Sequence, residues 1–151
     1  MTVFAGEKIL ADHMNRAQPV LHSAVSSSPL ALTNAEQDVP GATVTFTTLT
    51  ANCKWDADAS IDFDVTTASA GQTAIGRLYV DGVLFSPSRE ALHDMQTIGR
   101  GTVKQQWEGV FATPGSHTLK LVGIKTSAGG VATIPANHTS LHVTKSEVVG
   151  S

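Results

Sequence analysis

The sequence predicts an all-β fold, an antiparallel β-sandwich or jelly-roll, with a short N-terminal arm that is helical or extended. Threonine, valine, alanine, glycine and serine are abundant while lysine and glutamate are few, and this composition favours strands over long helices. From Asp38 onward apolar and polar residues alternate between Gly-containing turn signals. A chain of 151 residues accommodates one core. We therefore divide it into an arm and connector, residues 1–37, and a β-sandwich domain, residues 38–151.

The arm contains the only helical pattern in the chain. Between Glu7 and Ala17, apolar residues recur at spacings of three and four and form one narrow stripe. A stripe of this kind is buried only against another surface. We therefore expect assembly contacts from Phe4, Ile9, Leu10 and Met14. After Pro19, the stretch 20–34 has no sustained period and is rich in serine, which is typical of an extended connector.

The first strands of the β-domain are predicted to have one apolar and one polar face. Val44 and Phe46 alternate with threonines, and the apolar residues of the segment Ile61–Val65 alternate with Asp62 and Asp64. We expect these two carboxylates on the solvent face.

Turn signals then define the later hairpins. Asp81-Gly82 predicts a tight hairpin because both residues tolerate positive φ. Pro114-Gly115 and Gly129-Gly130 mark two further turns, and the last strand places Leu141 and Val143 inward. About seven or eight strands result.

One long connection, Ser86–Gly101, interrupts this pattern. Within it the segment Ser88–Met95 is compatible with one or two helical turns, which Ser88 would cap.

Charge and composition exclude several function classes. The net charge of −3 with 15% charged residues gives no basic surface for nucleic acid or an anionic membrane. No apolar run reaches membrane-spanning length, and the start does not read as a secretory signal, so we expect synthesis in a cytoplasm. The single cysteine, Cys53, is interpreted as a small strand hydrophobe.

No cofactor, metal ion or catalytic constellation is predicted. Asp56 and Asp58 belong to the densest acidic cluster and come nearest to a calcium site, but their spacing fits no EF-hand loop. No histidine stands in a local pattern that would activate a serine or Cys53. Paired carboxylates of a glycosidase would meet only in the fold and stay open at this stage.

A carbohydrate site is the one ligand hypothesis that the sequence supports. Arg77 and Tyr79 share an outward strand phase, and exposed aromatic rings with polar neighbours are common in such sites. His93 lies in the adjacent long connection and completes the candidate ligand contacts. The alternative is that Tyr79 is a strand-surface residue and Trp107 a core residue.

Several segments resemble virion proteins of tailed bacteriophages, especially those of actinobacterial hosts. The opening segment Phe4–Asn15 resembles the start of such proteins. The later segments that resemble the β-domains of their minor tail, fibre and decoration proteins are Ala35–Phe46, Asp62–Thr67, Leu78–Val83 and Pro114–Leu121. The resemblance spans nearly the whole chain, but its motifs are structural and it transfers no catalytic residue.

The resemblance implies a non-enzymatic virion component, assembled in the host cytoplasm, with the arm as attachment device and the β-domain displayed. It implies other virion proteins as partners, from capsid or tail, and a homotrimer, because many such display domains resemble trimeric fibres. The alternative is a lectin-like module that binds host-surface glycan. A small glycan hydrolase is the third class.

Overall fold

Two antiparallel sheets form the part of the chain that the computed structural model describes, residues 18–148. The predicted helix between Glu7 and Ala17 and the assembly residues Phe4, Ile9, Leu10 and Met14 lie outside these residues. The strands are β1 Val20–Val25, β2 Leu30–Ala31, β3 Gln37–Thr48, β4 Cys53–Thr67, β5 Thr73–Val80, β6 Val83–Leu84, β7 Ala91–Asp94, β8 Gly99–Phe111, β9 Gly115–Lys125, β10 Val131–Ile134 and β11 Ser140–Ser146. The predicted all-β sandwich is confirmed.

The larger sheet is organised around β4. Along one side of β4, β8 pairs over its full length, from Cys53 opposite Phe111 to Val65 opposite Gly99. Along the other side, β11 and β10 pair with successive halves of β4. Strand β1 lies outside β11 and β2 outside β10. Strands β1 and β8 are therefore edge strands of this sheet.

The smaller sheet has the order β3-β9-β5, and β6 and β7 pair with successive parts of β5. Its inner face packs on the larger sheet. No described segment forms a helix of the length and apolarity needed to cross a membrane.

The core lies between the sheets and follows the predicted alternation. Along β4, Ile61, Phe63 and Val65 are fully buried, and on β8 Trp107, which lies opposite Ala57, is fully buried as well. Burial of apolar side chains of this size stabilises the fold by roughly 1.5–3 kcal/mol each. Cys53 is also buried, as expected for a small strand hydrophobe. Burial raises the pKa of its thiol.

The predicted turns are confirmed. Asp81 and Gly82 have φ values of 50° and 81° and join β5 to β6, which is the positive-φ geometry of a tight hairpin. Pro114 lies between β8 and β9, and Gly130, with φ 68°, precedes β10. His117 shares the buried face of β9 with Leu119, and its Nδ1 lies 2.8 Å from Asp81 Oδ2.

The predicted connector differs from the structure. Residues 20–31 contribute β1 and β2, and β1 pairs with β11 from Val20 opposite Lys145 to Val25 opposite Ser140. The sandwich therefore begins before the predicted boundary at residue 38. The sequence of β1 shows no clear alternation because one face of this edge strand is exposed and the other is at most half-buried.

The helical turn predicted for Ser88–Met95 is wrong. Ala91–Asp94 forms β7, which pairs with β5, and Met95 is fully buried in the core. The four-residue strand is too short to show a period, so tertiary pairing decides its conformation.

Candidate functional surface

The outer face of the larger sheet carries a polar depression. The depression measures about 550 Å³ and is open to solvent. Strands β4, β8 and β11 supply its lining, because their outward side chains share one face. The polar lining residues are Asp58, Ser60, Lys104, Gln105, Gln106, Ser140 and His142. This mixture offers donors and acceptors to a polar ligand.

Cross-strand register sets the geometry of this face. Ser23 of β1 lies opposite His142 of β11, which lies opposite Asp58 of β4, which in turn lies opposite Gln106 of β8. Ser23 Oγ is 2.9 Å from His142 Nδ1. We call these four residues the polar row.

The polar row contains serine, histidine and aspartate but does not have the geometry of a hydrolytic triad. In a triad the carboxylate binds Nδ1 and the serine binds Nε2. Here the Ser23 hydroxyl lies at Nδ1 of His142, and no hydrogen bond or ion pair joins Asp58 to His142. The row therefore lacks the arrangement that would activate the Ser23 hydroxyl.

The acidic residues of β4 have different environments. Asp62 was expected in solvent but is 5% exposed, because Arg100 Nε donates to its Oδ2 at 2.6 Å and covers it. Asp56 and Asp58, the nearest candidates for a metal site, are both exposed on the outer face. Among residues 18–148, no three histidine, cysteine, aspartate or glutamate side chains group in a way that could hold a metal ion.

The predicted carbohydrate residues Arg77 and Tyr79 lie on the outer face of the smaller sheet and bind protein carboxylates. Arg77 donates to Glu36 and to Glu90, both at 2.5 Å. The Tyr79 hydroxyl also donates to Glu36. The hydrogen bond from Tyr79 and the interactions with Arg77 lower the pKa of Glu36 against the opposing effect of burial. The hydrogen-bond donors of Arg77 and Tyr79 are therefore already bound to protein carboxylates.

His93 does not join them. Its ring stacks on Phe63 at 5.6 Å, on the inner side of β7 beside β8. A Cβ on Gly101 would lie 2.6 Å from this ring, so the glycine gives it room. Trp55 and Trp107 are buried and offer no sugar-stacking surface.

Five of the ten exposed large apolar side chains of residues 18–148 lie at the end of the sandwich where β1 begins. Strand pairing brings the start of β1, the β3–β4 loop, the end of β8 and the end of β11 to this end. Leu21 is 62% exposed and Leu49 is 64% exposed. We use the name apolar end for Val20, Leu21, Leu49, Val110 and Val148, which are all exposed.

A buried ion pair holds the same end together. Glu147 accepts hydrogen bonds from the backbone N–H groups of Leu49 and Thr50 at 3.0 and 3.1 Å, from the Thr50 hydroxyl at 2.7 Å and from Lys145 at 3.0 Å. Burial opposes ionisation, but these bonds together lower the pKa of Glu147 to about 2. We call Leu49, Thr50, Lys145 and Glu147 the terminal clamp.

Sequence reasoning missed both the polar row and the apolar end. Alternation correctly predicts that His142 points outward. The identity of its neighbours depends on the pairing of β1 with β11, and Ser23 and His142 are 119 positions apart. No local pattern encodes such a pairing.

Comparisons with known proteins add similar structures of low identity. No family model matches the chain, and no curated protein matches it. A chain in the structure of infectious bursal disease virus Gt strain has a TM-score of 0.46 at 16% identity, with 84% of this chain and 32% of that chain covered. Dimeric latent PorU from Porphyromonas gingivalis has a TM-score of 0.46 at 11% identity, with 88% and 13% covered. The C-terminal domain of EclA, a sugar-binding protein, has a TM-score of 0.40 at 14% identity, with 83% and 79% covered. This chain thus spans about a third of the first of these chains and about an eighth of the second.

Proposed function

We propose that the protein is a structural component of a tailed-phage virion, a minor tail, fibre or capsid-decoration protein, that acts by binding and not by turnover. In this proposal residues 1–17 attach the protein to other virion proteins, and the sandwich is displayed on the particle after assembly in the host cytoplasm. The observation that supports it best is the apolar end, which lies where the arm enters the sandwich.

The grouping of these side chains carries the argument. Single exposed apolar residues are normal on a protein surface, whereas a group at one place marks a contact surface. The apolar end is contributed by four separate segments, which reach the same end of the sandwich although β1 and β8 lie at opposite edges of the larger sheet. The arm stripe of Ile9, Leu10 and Met14 requires a partner surface as well. Attachment of the protein through this end would cover the apolar end and the arm stripe together.

Deletion of residues 1–17 is expected to leave the sandwich folded and to abolish incorporation into the particle. All described strands begin after this segment, so circular dichroism and the unfolding transition should be retained. Immunogold labelling of purified particles of the phage that encodes the chain measures incorporation.

Matched substitutions separate the apolar end from general surface effects. Leu21→Ser and Leu49→Ser should reduce labelling of the particle, while Leu92→Ser should not, because Leu92 is a similarly exposed leucine on the smaller sheet. Equal labelling by all three variants and by the truncated protein would contradict the proposed attachment.

A lectin-like role, in which the protein binds host-surface glycan, is the second candidate. The observation that favours it is the polar depression, where Asp58, Lys104, Gln106 and His142 offer hydrogen-bonding groups that are not buried. Sugar hydroxyls are recognised by such mixed donors and acceptors.

A glycan array with the full-length protein tests this role. We expect any glycan signal to fall at least about tenfold in Asp58→Ala, because a ligand hydrogen bond to a charged group is worth roughly 1.5–3 kcal/mol. Asp38→Ala is the control, since Asp38 is exposed on the smaller sheet and binds Lys120. No signal from the wild-type protein, or an equal loss in both variants, would sink the lectin hypothesis.

A further inference from the structure

The outer edge of β8 is unpaired. Its thirteen residues, Gly99–Phe111, pair with β4 on one side without a register shift. Among residues 18–148, no backbone hydrogen bond reaches β8 from its other side. Alternate residues of such an edge direct N–H and C=O groups away from the sheet.

This edge lacks three of the common protections against strand pairing. Natural edge strands are commonly short, bulged, or interrupted by proline. Strand β8 has thirteen residues, no proline and a continuous ladder with β4. It does carry charged side chains, and their order along the strand determines which partner strand fits.

The outward side chains of β8 are complementary to a second copy of the same strand. They are, in order, Arg100, Thr102, Lys104, Gln106, Glu108 and Val110. When two copies run antiparallel with Gln106 opposite Gln106, Lys104 of each copy faces Glu108 of the other, and Thr102 faces Val110. Opposite charges on directly opposed residues stabilise a sheet.

Neighbouring registers lack this match. Centring the pair on Lys104 sets Glu108 of each copy opposite Arg100 of the other, but it places the two Lys104 ammonium groups opposite each other. Centring it on Gln105 places Lys104 opposite Gln106 and leaves Glu108 opposite Thr102, so no ion pair forms. On the inner face, the Gln106-centred register sets Val103 opposite Gly109, and the glycine has no side chain that could clash with the valine. Of the three registers, only the one centred on Gln106 places both Lys104 and Glu108 opposite a residue of opposite charge.

We propose that β8 is a homodimerisation edge, at which two copies pair antiparallel about a two-fold axis through Gln106. The two six-stranded sheets then join into one continuous sheet. The interface is isologous, because each copy contributes the same residues to it. It produces a dimer and not the trimer that the family resemblance implies.

Charge reversal tests the pairing in the full-length protein. Lys104→Glu or Glu108→Lys alone turns both ion pairs of the dimer into like-charge pairs and should weaken dimerisation about tenfold to a hundredfold. The double variant Lys104→Glu, Glu108→Lys restores opposite charges across the axis and should recover the wild-type dissociation constant within about threefold. Lys54→Glu is the control, since Lys54 lies on the same face but on β4, away from the edge.

Sedimentation equilibrium over a concentration series measures these constants. A wild-type monomer at the highest concentration overturns the proposal. An assembly that Lys104→Glu does not weaken, or that the double variant does not restore, overturns it as well. Circular dichroism confirms that each variant is folded.

Oxidative cross-linking checks the register by a second route. Only the residue on the axis lies beside its own copy, about 4.5–5.5 Å away between Cα atoms, which is within disulfide range. Gln106→Cys should therefore cross-link as a dimer. Thr102→Cys should not, because its two copies would lie about 27 Å apart. The native Cys53 is fully buried and does not compete. Equal cross-linking at both positions would refute this register.

Discussion

Replacing Trp107 by alanine should lower the free energy of unfolding by about 3–5 kcal/mol. Trp107 is fully buried, and its indole Nε1 donates to the Arg89 carbonyl at 2.7 Å. It is also the largest inward side chain of β8, whose other buried core side chain is Phe111 at the end of the strand. The substitution therefore removes a large part of the packing that holds this edge strand to the core. Urea unfolding followed by circular dichroism measures the loss.

Two further variants separate packing from hydrogen bonding at this position. Trp107→Phe keeps a ring but leaves the Arg89 carbonyl without its donor, and should cost about 1–3 kcal/mol. Val103→Ala removes a partly buried side chain from the same face and should cost less than Trp107→Ala. A loss below about 1 kcal/mol for Trp107→Ala would show that β8 is held by its ladder with β4 and not by this side chain.

The substitution Glu147→Gln should lower the free energy of unfolding near neutral pH by roughly 3 kcal/mol, as the lowering of the pKa from 4.5 to about 2 implies. The amide places an NH₂ group against the donors of Thr50, where the carboxylate oxygen accepts two hydrogen bonds. It also leaves Lys145 without its charged partner. Asp56→Asn is the control, because Asp56 is an exposed carboxylate on the same sheet.

The pH dependence of this effect has a defined sign. The pKa of Glu147 is lower in the folded chain than in the unfolded chain, so the unfolded chain binds the proton first. The wild-type contribution is complete above about pH 4.5 and is lost as the pH falls toward about 2. Unfolding free energies of the wild-type and Glu147→Gln proteins should therefore converge over this range. A constant difference down to pH 2 would contradict the role assigned to the carboxylate.

The terminal clamp connects two parts of the sandwich, so the loss of the Glu147 carboxylate should lower the stability of the whole fold. Glu147 follows β11, whereas Leu49 and Thr50 belong to the loop between β3 and β4. The carboxylate thus ties the larger sheet to a loop that continues from the smaller one. Burial lowers the pKa of the nearby His22, with a smaller contribution from Lys145.

The long alternating strands could be predicted from the sequence because each of them buries one face. The phases of Phe63, Trp107, Leu141 and Val143 follow from their neighbours alone, and Asp81-Gly82 encodes its hairpin locally. The short or exposed strands could not be predicted. Strand β1 buries little, and β7 has only four residues, so neither shows a period.

The candidate functional surface could not be predicted from the sequence, because the neighbours on it are set by strand register, which is a non-local property. The sequence predicts that the Asp62 carboxylate faces solvent. In the structure, the pairing of β4 with β8 brings Arg100 over this carboxylate. Arg77 and Tyr79 share a face, as predicted, but the sequence does not show that Glu36 occupies both of them. The free edge of β8 likewise appears only when the strand order is known.

The pairing of β1 with β11 also determines how the protein responds to mechanical force. Val20 lies opposite Lys145, so a force applied between residues 18 and 148 acts on the same end of two antiparallel strands. Their hydrogen bonds run across the strands and would be loaded one after another, as in a zipper, and not all at once in shear. Opening would start at Val20, beside the terminal clamp, where Lys145 also donates to the Thr47 carbonyl at 2.6 Å. The clamp therefore closes the point at which tension on the arm would first separate the sheet.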